Sequence, residues 1–596
     1  MANNKKPLPQ VHTKRHRLEI MFAEMENEYS THRSYHRDLL DYVNPQRGRF
    51  TVTDAGKGTR KNQRIVNPVA ADALTVLKAG MVATITNPAS QWVRLSVEDK
   101  ELAEIGAVKE WLGDTSKTLH DIFLKSNLYR NLPIVYGDMA VVAVGALLVE
   151  EDSEDVIRTY PIPCGSFYID VDAKGKVNHY AREFRYNVQQ VVEKFSTPEG
   201  EEFVVDNIDW SKFSLKVKNL YEKGQHTAWV DVVHMIVPNT EYDPSKLDAK
   251  YKKFASVYYE RGSSGLISGS DNRHTDATLD PNVFLRESGL DHFNILAPRW
   301  EVTGEDAWGT NCPAMKAHGS SRAVQTMEKR KAQATEQKVN PTLLFPTSLK
   351  KKKTSVLPGA KVYVDDVALA KGGVRRLYEV DFKTGELRED IRDVEAWINA
   401  SFHKDAFAPI SSTPIQGTPP SVAEVNARIS ESLIKISGTG QNIQDDLLEP
   451  LVDITFAHAN NQGKIKEAPE ELEGITLKVE FIGVMAQAQK AIALGSLREF
   501  TDFALAVANI EPTALDKVDT DQLIDEYHDG SGVSTKVLVQ DEEVLEKRLD
   551  RQEAQQAQAQ QEQMMNMAKS AKDLSQADMT GDNALTALTE GAEQQI

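Results

Sequence analysis

Apolar positions between Lys14 and Val43 recur at mostly three- and four-residue steps: Leu18, Met21/Phe22, Met25, Tyr29, Tyr35 and Leu39/Leu40, until Asn44-Pro45 interrupts them. That period draws one apolar stripe along a helix, and the Asn-Pro pair ends it. The stretch "RIVNPVAADALTVLKAGMVATITNPASQWVRL" (64–95) predicts a second helix stopped near Asn87-Pro88, then a short strand from Trp92 to Leu95. Residues 105–152 predict one or two further helices followed by a strand. From 156 to 260 the character changes. "FYIDVDAKGKVNHYAREFR" reads as a hairpin turning at Ala173-Lys174-Gly175-Lys176, and "AWVDVVHMIVPN" and "FASVYYERG" supply further strands. The expected fold class is α+β.

Beyond "RWE" (299–301) the pattern is mostly helical, and its order is informative. Residues 313–338 suit a long, polar helix rich in small residues and ended by Asn340-Pro341. Residues 340–366 form an extended, turn-rich excursion. A second helix over 387–403 carries Ile391, Val394, Trp397/Ile398 and Phe402 on one face, with acids in its first turn to complement the helix dipole. The segment "SSTPIQGTPPSVAEVNARISESLIKISG" (411–438) then places a loop of small, turn-forming residues before a helix that opens on a capping box, Ser421 to Glu424. The order is helix, excursion, helix, loop, helix. Residues 486–530 predict more helices, with Leu523/Ile524 as core contacts. The Gln/Ala/Glu-rich tract 542–574 has too few bulky apolar residues to bury much by itself, so it packs against copies of itself or frays.

A chain of 596 residues exceeds one hydrophobic core, and 40% hydrophobic with 27% charged residues is the balance of a folded protein. No apolar run follows the lysines of MANNKKPLPQ, so no secretory signal is expected. The longest apolar stretch, "MAVVAVGALLV" (139–149), is shorter than the roughly 18 residues of a membrane span. Cys164 and Cys312 lie far apart, without metal-ligand or redox spacing, which fits a reducing compartment. A net charge of −18 argues against a protein that grips duplex DNA through clustered cations.

Motifs for chemistry are sparse. The "GKG" at 56–58 fails the phosphate-loop pattern at Thr51 and Gly58, and no G-x-S-x-G, H-E-x-x-H or G-x-G-x-x-G occurs, so an enzyme is unsupported. The pairs His12/His16 and His32/His36 have i, i+4 spacing but no third ligand; solvated helix faces are the simpler reading. The acidic stretch 516–532 lacks the Gly and Glu of a calcium loop. Lys350, Lys351, Lys352 and Lys353 form the most basic local run, with Lys329-Arg330-Lys331 on the preceding helix; a solvated loop stands against contact with an acidic partner or DNA phosphates.

Several separated stretches, among them "SNLYRNLPIVYGDMAVVAVGALLV", "IPCGSFYIDVDAKGKV", "PRWEVTGEDAWGTNCPAMKA", "KVNPTLLFP", "PPSVAEVNARISE", "LLEPLVDITF" and "VEFIGVMAQAQKA", occur in an order that resembles the portal, or head-to-tail connector, proteins of short-tailed podovirus-type bacteriophages. The likeness runs from about residue 15 to about 530. Gly309-Thr310-Asn311-Cys312-Pro313 departs from the Gly-Arg-Ser-Pro-like turn expected before the long helix.

The resemblance implies a ring, usually a dodecamer, at the capsid vertex of the virion, assembled in the host cytoplasm. It implies N-terminal helices and an α+β wing (1–312), a first stem helix (313–338), a clip (340–386), a second stem helix (387–403) and a tunnel loop (404–418). A long kinked helix with the rest of the wing (419–500), a helical crown (501–574) and a disordered tail (575–596) would follow. Double-stranded DNA would pass without sequence specificity, with the tunnel-loop residues Lys404, Ser411, Ser412 and Gln416 making sparse phosphate contacts. Lys350 to Lys353 would dock the terminase and tail adaptor, with capsid, scaffolding and internal core proteins as further partners. No cofactor, metal or membrane is implied. The alternatives are a capsid or scaffolding protein and, from another class, a DNA-packaging enzyme.

Overall fold

The computed structural model describes residues 13–53, 60–99, 102–103, 105–196, 208–262, 283–339, 343–344, 375–376, 384–407, 437–472, 474–482, 497–508, 517–531, 539 and 541–576. Helix α1 (Lys14–Val43) starts where the Thr13 hydroxyl accepts the His16 N–H at 3.2 Å, and it buries Leu18, Phe22, Met25, Tyr29, Leu39, Leu40 and Val43. Helix α2 (Val69–Ile85) buries Ala70, Ala73, Leu74, Leu77, Met81 and Ile85. Strand β1 (Val93–Val97) comes next, then α3 (Gly106–Lys125), α4 (Leu128–Val142), β2 (Leu147–Asp152) and β3 (Val156–Pro161). These are the helices and strands that the apolar periods predict.

The hairpin is present as β4 (Phe167–Val171) and β5 (Val177–Asn187), which joins helices α5 (Val188–Ser196) and α6 (Leu215–Glu222) to β6 (Trp229–Pro238), β7 (Phe254–Glu260) and β8 (Arg286–Leu290). The five strands form an antiparallel sheet in the order β4-β5-β6-β7-β8, while β3 and the short β9 (Ile295–Leu296) flank β2 in a second sheet. A small core of Val188, Val191, Val192, Phe195, Phe213, Val217, Val230, Val232 and Leu285 lies under α5 and α6. The main core joins α1 to α4 with the sheets.

The turn at Gly309–Pro313 has a steric explanation. Ala143 closes α4 in the left-handed region (φ 62), and its carbonyl accepts the Trp300 N–H at 2.8 Å. A Cβ on Gly309 would stand 2.2 Å from that same oxygen, so only glycine passes here. Asn311, also left-handed (φ 56), turns the chain so that Pro313 opens α7 (Pro313–Lys316). The predicted helix over 313–338 is therefore two pieces, α7 and α8 (His318–Val339).

Strands β10 (Leu343–Leu344) and β11 (Arg375–Arg376) pair antiparallel across the excursion. Helix α9 (Thr384–Ser401) begins before the predicted 387, and a one-turn α10 (Lys404–Phe407) occupies the start of the predicted loop. Later come α11 (Ser437–Ile443), a wide π turn at Gln444–Leu448, and α12 (Glu449–Asn461), in whose first turn Pro450 lacks an N–H to give. Strand β12 (Leu477–Phe481) pairs with β1 across nearly four hundred residues, a partnership that local periodicity cannot show. Helices α13 (497–508), α14 (Thr520–Ser531) and α15 (Asp541–Gln576) complete the described chain. Ile524 is exposed in α14, not a core contact. Among the described residues no helix is long and apolar enough to cross a membrane.

The His32/His36 pair does not lie on a solvated face. His36 is fully buried beside Tyr29, His32 and Trp308, and burial, then His32, pushes its pKa down to about 3. His234, stacked on Tyr258 at 3.9 Å, is held down to about 3 by burial, then by Lys194 and Arg182. Among the described residues no group of His, Cys, Asp and Glu could hold a metal. Both rings are neutral when folded, whereas the unfolded chain protonates them near the ordinary pKa of about 6.5. Stability is thus full above that pH and falls as pH drops below it, by up to about 1.4 kcal/mol per unit for each ring. Urea unfolding of the protomer between neutral pH and pH 5 should show this slope, and H36F should flatten it.

Candidate functional site

Helices α8 and α9 lie side by side, and α9 packs against α2. Gln325 of α8 and Glu395 of α9 both reach Asn67. Ser321, Val324 and Gln325 are the buried residues of α8, and Ile391, Ile398 and Phe402 are buried on or just after α9. Trp397, which periodicity placed on that inner face, is instead 63% exposed. The period allowed Trp397 or Ile398 as the core neighbour, and the packing takes Ile398.

A closed set of hydrogen bonds clasps the pair to the body. The Gln325 Oε1 accepts the backbone N–H groups of Val66 (2.7 Å) and Asn67 (2.8 Å), and its Nε2 donates to the Asn67 carbonyl at 2.8 Å. Asn67 Nδ2 donates to Glu395 Oε1 at 2.7 Å, while Asn67 Oδ1 accepts the Val69 N–H at 3.0 Å, in the first turn of α2. Gln325 and Asn67 are both buried, so the loss of any one partner would strand a desolvated polar group. Sequence reasoning missed all three residues. Gln325 and Glu395 sit in helices read as polar, and nothing local marks which polar position turns inward.

The chain beyond α9 is pinned as well. His403 turns it in the left-handed region (φ 51), and Phe407 at the end of α10 lies directly on α2, where a Cβ on Gly80 would stand 2.2 Å from its ring. Lys404, assigned to the tunnel loop, is half-buried within this anchored turn. Ser411, Ser412 and Gln416 lie outside the described residues, as do Lys350, Lys351, Lys352, Lys353 and the capping-box helix at Ser421.

From Ser437 onward the chain is tied down again. Asn442 Nδ2 donates to the Trp300 carbonyl at 3.2 Å, and Arg299, itself buried, pairs with Asp446 of the π turn at 3.1 Å and donates to the Gly175 carbonyl at 2.8 Å. Residues 408–436 are thus bounded by two fixed points, one on α2 and one at the β4–β5 turn.

A family model described as bacteriophage head to tail connecting protein matches residues 15–538. This chain belongs to that family. It is 38% identical over 585 residues to the portal protein of Salmonella phage epsilon15, covering 98% of this chain and 100% of that one. It is 35% identical over 579 residues to the probable portal protein of Bordetella phage BPP-1, covering 97% and 98%. The resemblance read from separated sequence stretches and the family match therefore agree.

Because Gly80 makes room for Phe407, Gly80→Val should lift α10 off α2. The expected cost is about 1–3 kcal/mol in protomer stability, with faster tryptic cleavage after Lys404. Gly113→Ala is the control. No atom lies within 4 Å of a Cβ there, so this helical position should gain up to about 1 kcal/mol.

Proposed function

We propose that this chain is the protomer of a ring of twelve that forms the channel for double-stranded DNA during packaging and ejection. In this reading α8 and α9 are the two stem helices, 340–386 is the clip, 404–418 is the tunnel loop and 501–574 belongs to the crown. The observation that carries it is the pinning of α9 and α10 to α2, together with membership of the connector family. A segment that must touch moving DNA at one height needs fixed flanks, and both flanks of 408–436 are fixed.

The charge balance supports passage over grip. Each copy carries −18, and DNA carries one negative charge per roughly 1.7 Å of axis, so the ring as a whole repels the duplex. Lys404, Ser411, Ser412 and Gln416 supply sparse phosphate contacts that slide without reading sequence. Lys350 to Lys353 at the tip of the clip present a cationic surface to the terminase and tail adaptor. The energy for translocation comes from that terminase, and this chain acts as conduit and docking platform.

Replacing Lys404 and residues 411–417 with a short Gly-Ser link tests the assignment. Rings should still form in negative-stain images, while packaged DNA per particle falls. A protein that no longer assembles would place 404–417 in the subunit interface instead.

A further inference from the structure

The two helices of the pair carry opposite charge on their outer faces. Along one flank of the buried Ser321, Val324 and Gln325, α8 exposes Arg322 and Lys329, and Arg330 stands on the side away from them. Opposite the buried Ile391 and Ile398, α9 exposes Glu389 and Asp393, with Asp390 and Trp397 along one side of them and Arg388 and Arg392 along the other. The buried faces pack within the pair and against the body, and these two charged faces are left open to solvent. We infer that the two faces are the two halves of one contact between copies: the acidic stripe of α9, closed by Trp397, seats on the basic stripe of α8 in the next subunit. This rests on the ring reading above and specifies which surfaces close it.

Three observations carry the inference. Glu389 and Asp393 stand four residues apart on the helix, a like-charge spacing that destabilises an isolated helix, and neither they nor Asp390 form an ion pair among the described residues. Lys329 and Arg330 likewise lack a carboxylate partner there, and Arg322 is 3.8 Å from Asp38. Each surplus is a cost in a lone protomer that the opposite stripe of a neighbour would offset.

Trp397 is the second observation. A 63% exposed indole at the end of the acidic stripe is the kind of anchor that interfaces bury at their centre, with charges around it. The third is length. Arg322 to Arg330 and Glu389 to Trp397 each cover eight residue steps, about 12 Å of helix, so one stripe can cover the other in register. Two different surfaces meeting head to tail generate a ring, as this geometry requires.

The test uses the full chain with E389K/D393K in one protein and K329E/R330E in the other. Each protein by itself should lose ring formation by about tenfold or more at physiological salt, because like charges then face each other at every contact. Mixed in equal amounts they should close rings of alternating copies, since basic α9 then meets acidic α8 at one contact and the natural pairing recurs at the next. Recovery in the mixture also shows that both variants are folded. W397A by itself should lower the ring fraction in the same assay. Rings formed as well as wild type by each reversed protein would overturn this contact while leaving the ring reading intact. Variants that fail both singly and mixed, yet keep the unfolding midpoint of the wild-type protomer, would overturn the complementarity. More DNA held by normally closed E389K/D393K rings would assign the acidic stripe to the channel wall and overturn the contact too. A wild-type chain that never forms rings would remove the ring reading itself, and this inference with it.

Discussion

One buried amide fixes α8 and α9 against the chain that enters α2. Gln325 satisfies two backbone donors and one backbone acceptor just before α2, and Asn67 carries the connection on to Glu395. Buried polar groups of this kind contribute modestly when complete and cost heavily when broken, so the arrangement selects one relative position of α8, α9 and α2 and penalises the rest. Apolar packing by Val324, Ile391 and Ile398 would tolerate some sliding. The hydrogen bonds do not.

The chain downstream of α9 inherits that position. α9 ends at Ser401, His403 redirects the backbone, and Phe407 lands on the bare backbone at Gly80. Three devices of different chemistry act in series there: an amide network, a left-handed turn and a ring on a glycine. On the far side, Arg299 joins the β4–β5 turn at Gly175 to Asp446 of the π turn, so the same body holds both ends of the stretch between them.

Much of this was legible in the amino-acid order. The ends of α1 came from the spacing of Leu18 to Leu40 and from Asn44-Pro45, and the β4–β5 hairpin from Lys174-Gly175. The order of helix, excursion, helix and loop, with the dispersed stretches that resemble connectors, led to the family to which the chain belongs. Trp397, Ile524 and His36 went the other way, for reasons of geometry. A 3.6-residue period cannot separate Trp397 from its neighbour Ile398. An exposed face at Ile524 belongs to a surface the lone protomer does not cover. The burial of His36 depends on Trp308, far away in sequence. The Gln325 clasp was invisible for the same reason, since its partners at 66–67 and 395 are brought together only by the fold.

Amide hydrogen exchange at Val66 and Asn67 tests the central constraint most directly. If the Gln325 clasp holds the helix pair, both amides exchange only with global unfolding of the protomer, as slowly as the slowest amides of α2, and Gln325→Leu accelerates these two far more than the rest of α2. Rapid exchange of Val66 and Asn67 in the intact protein, unchanged by Gln325→Leu, would contradict it.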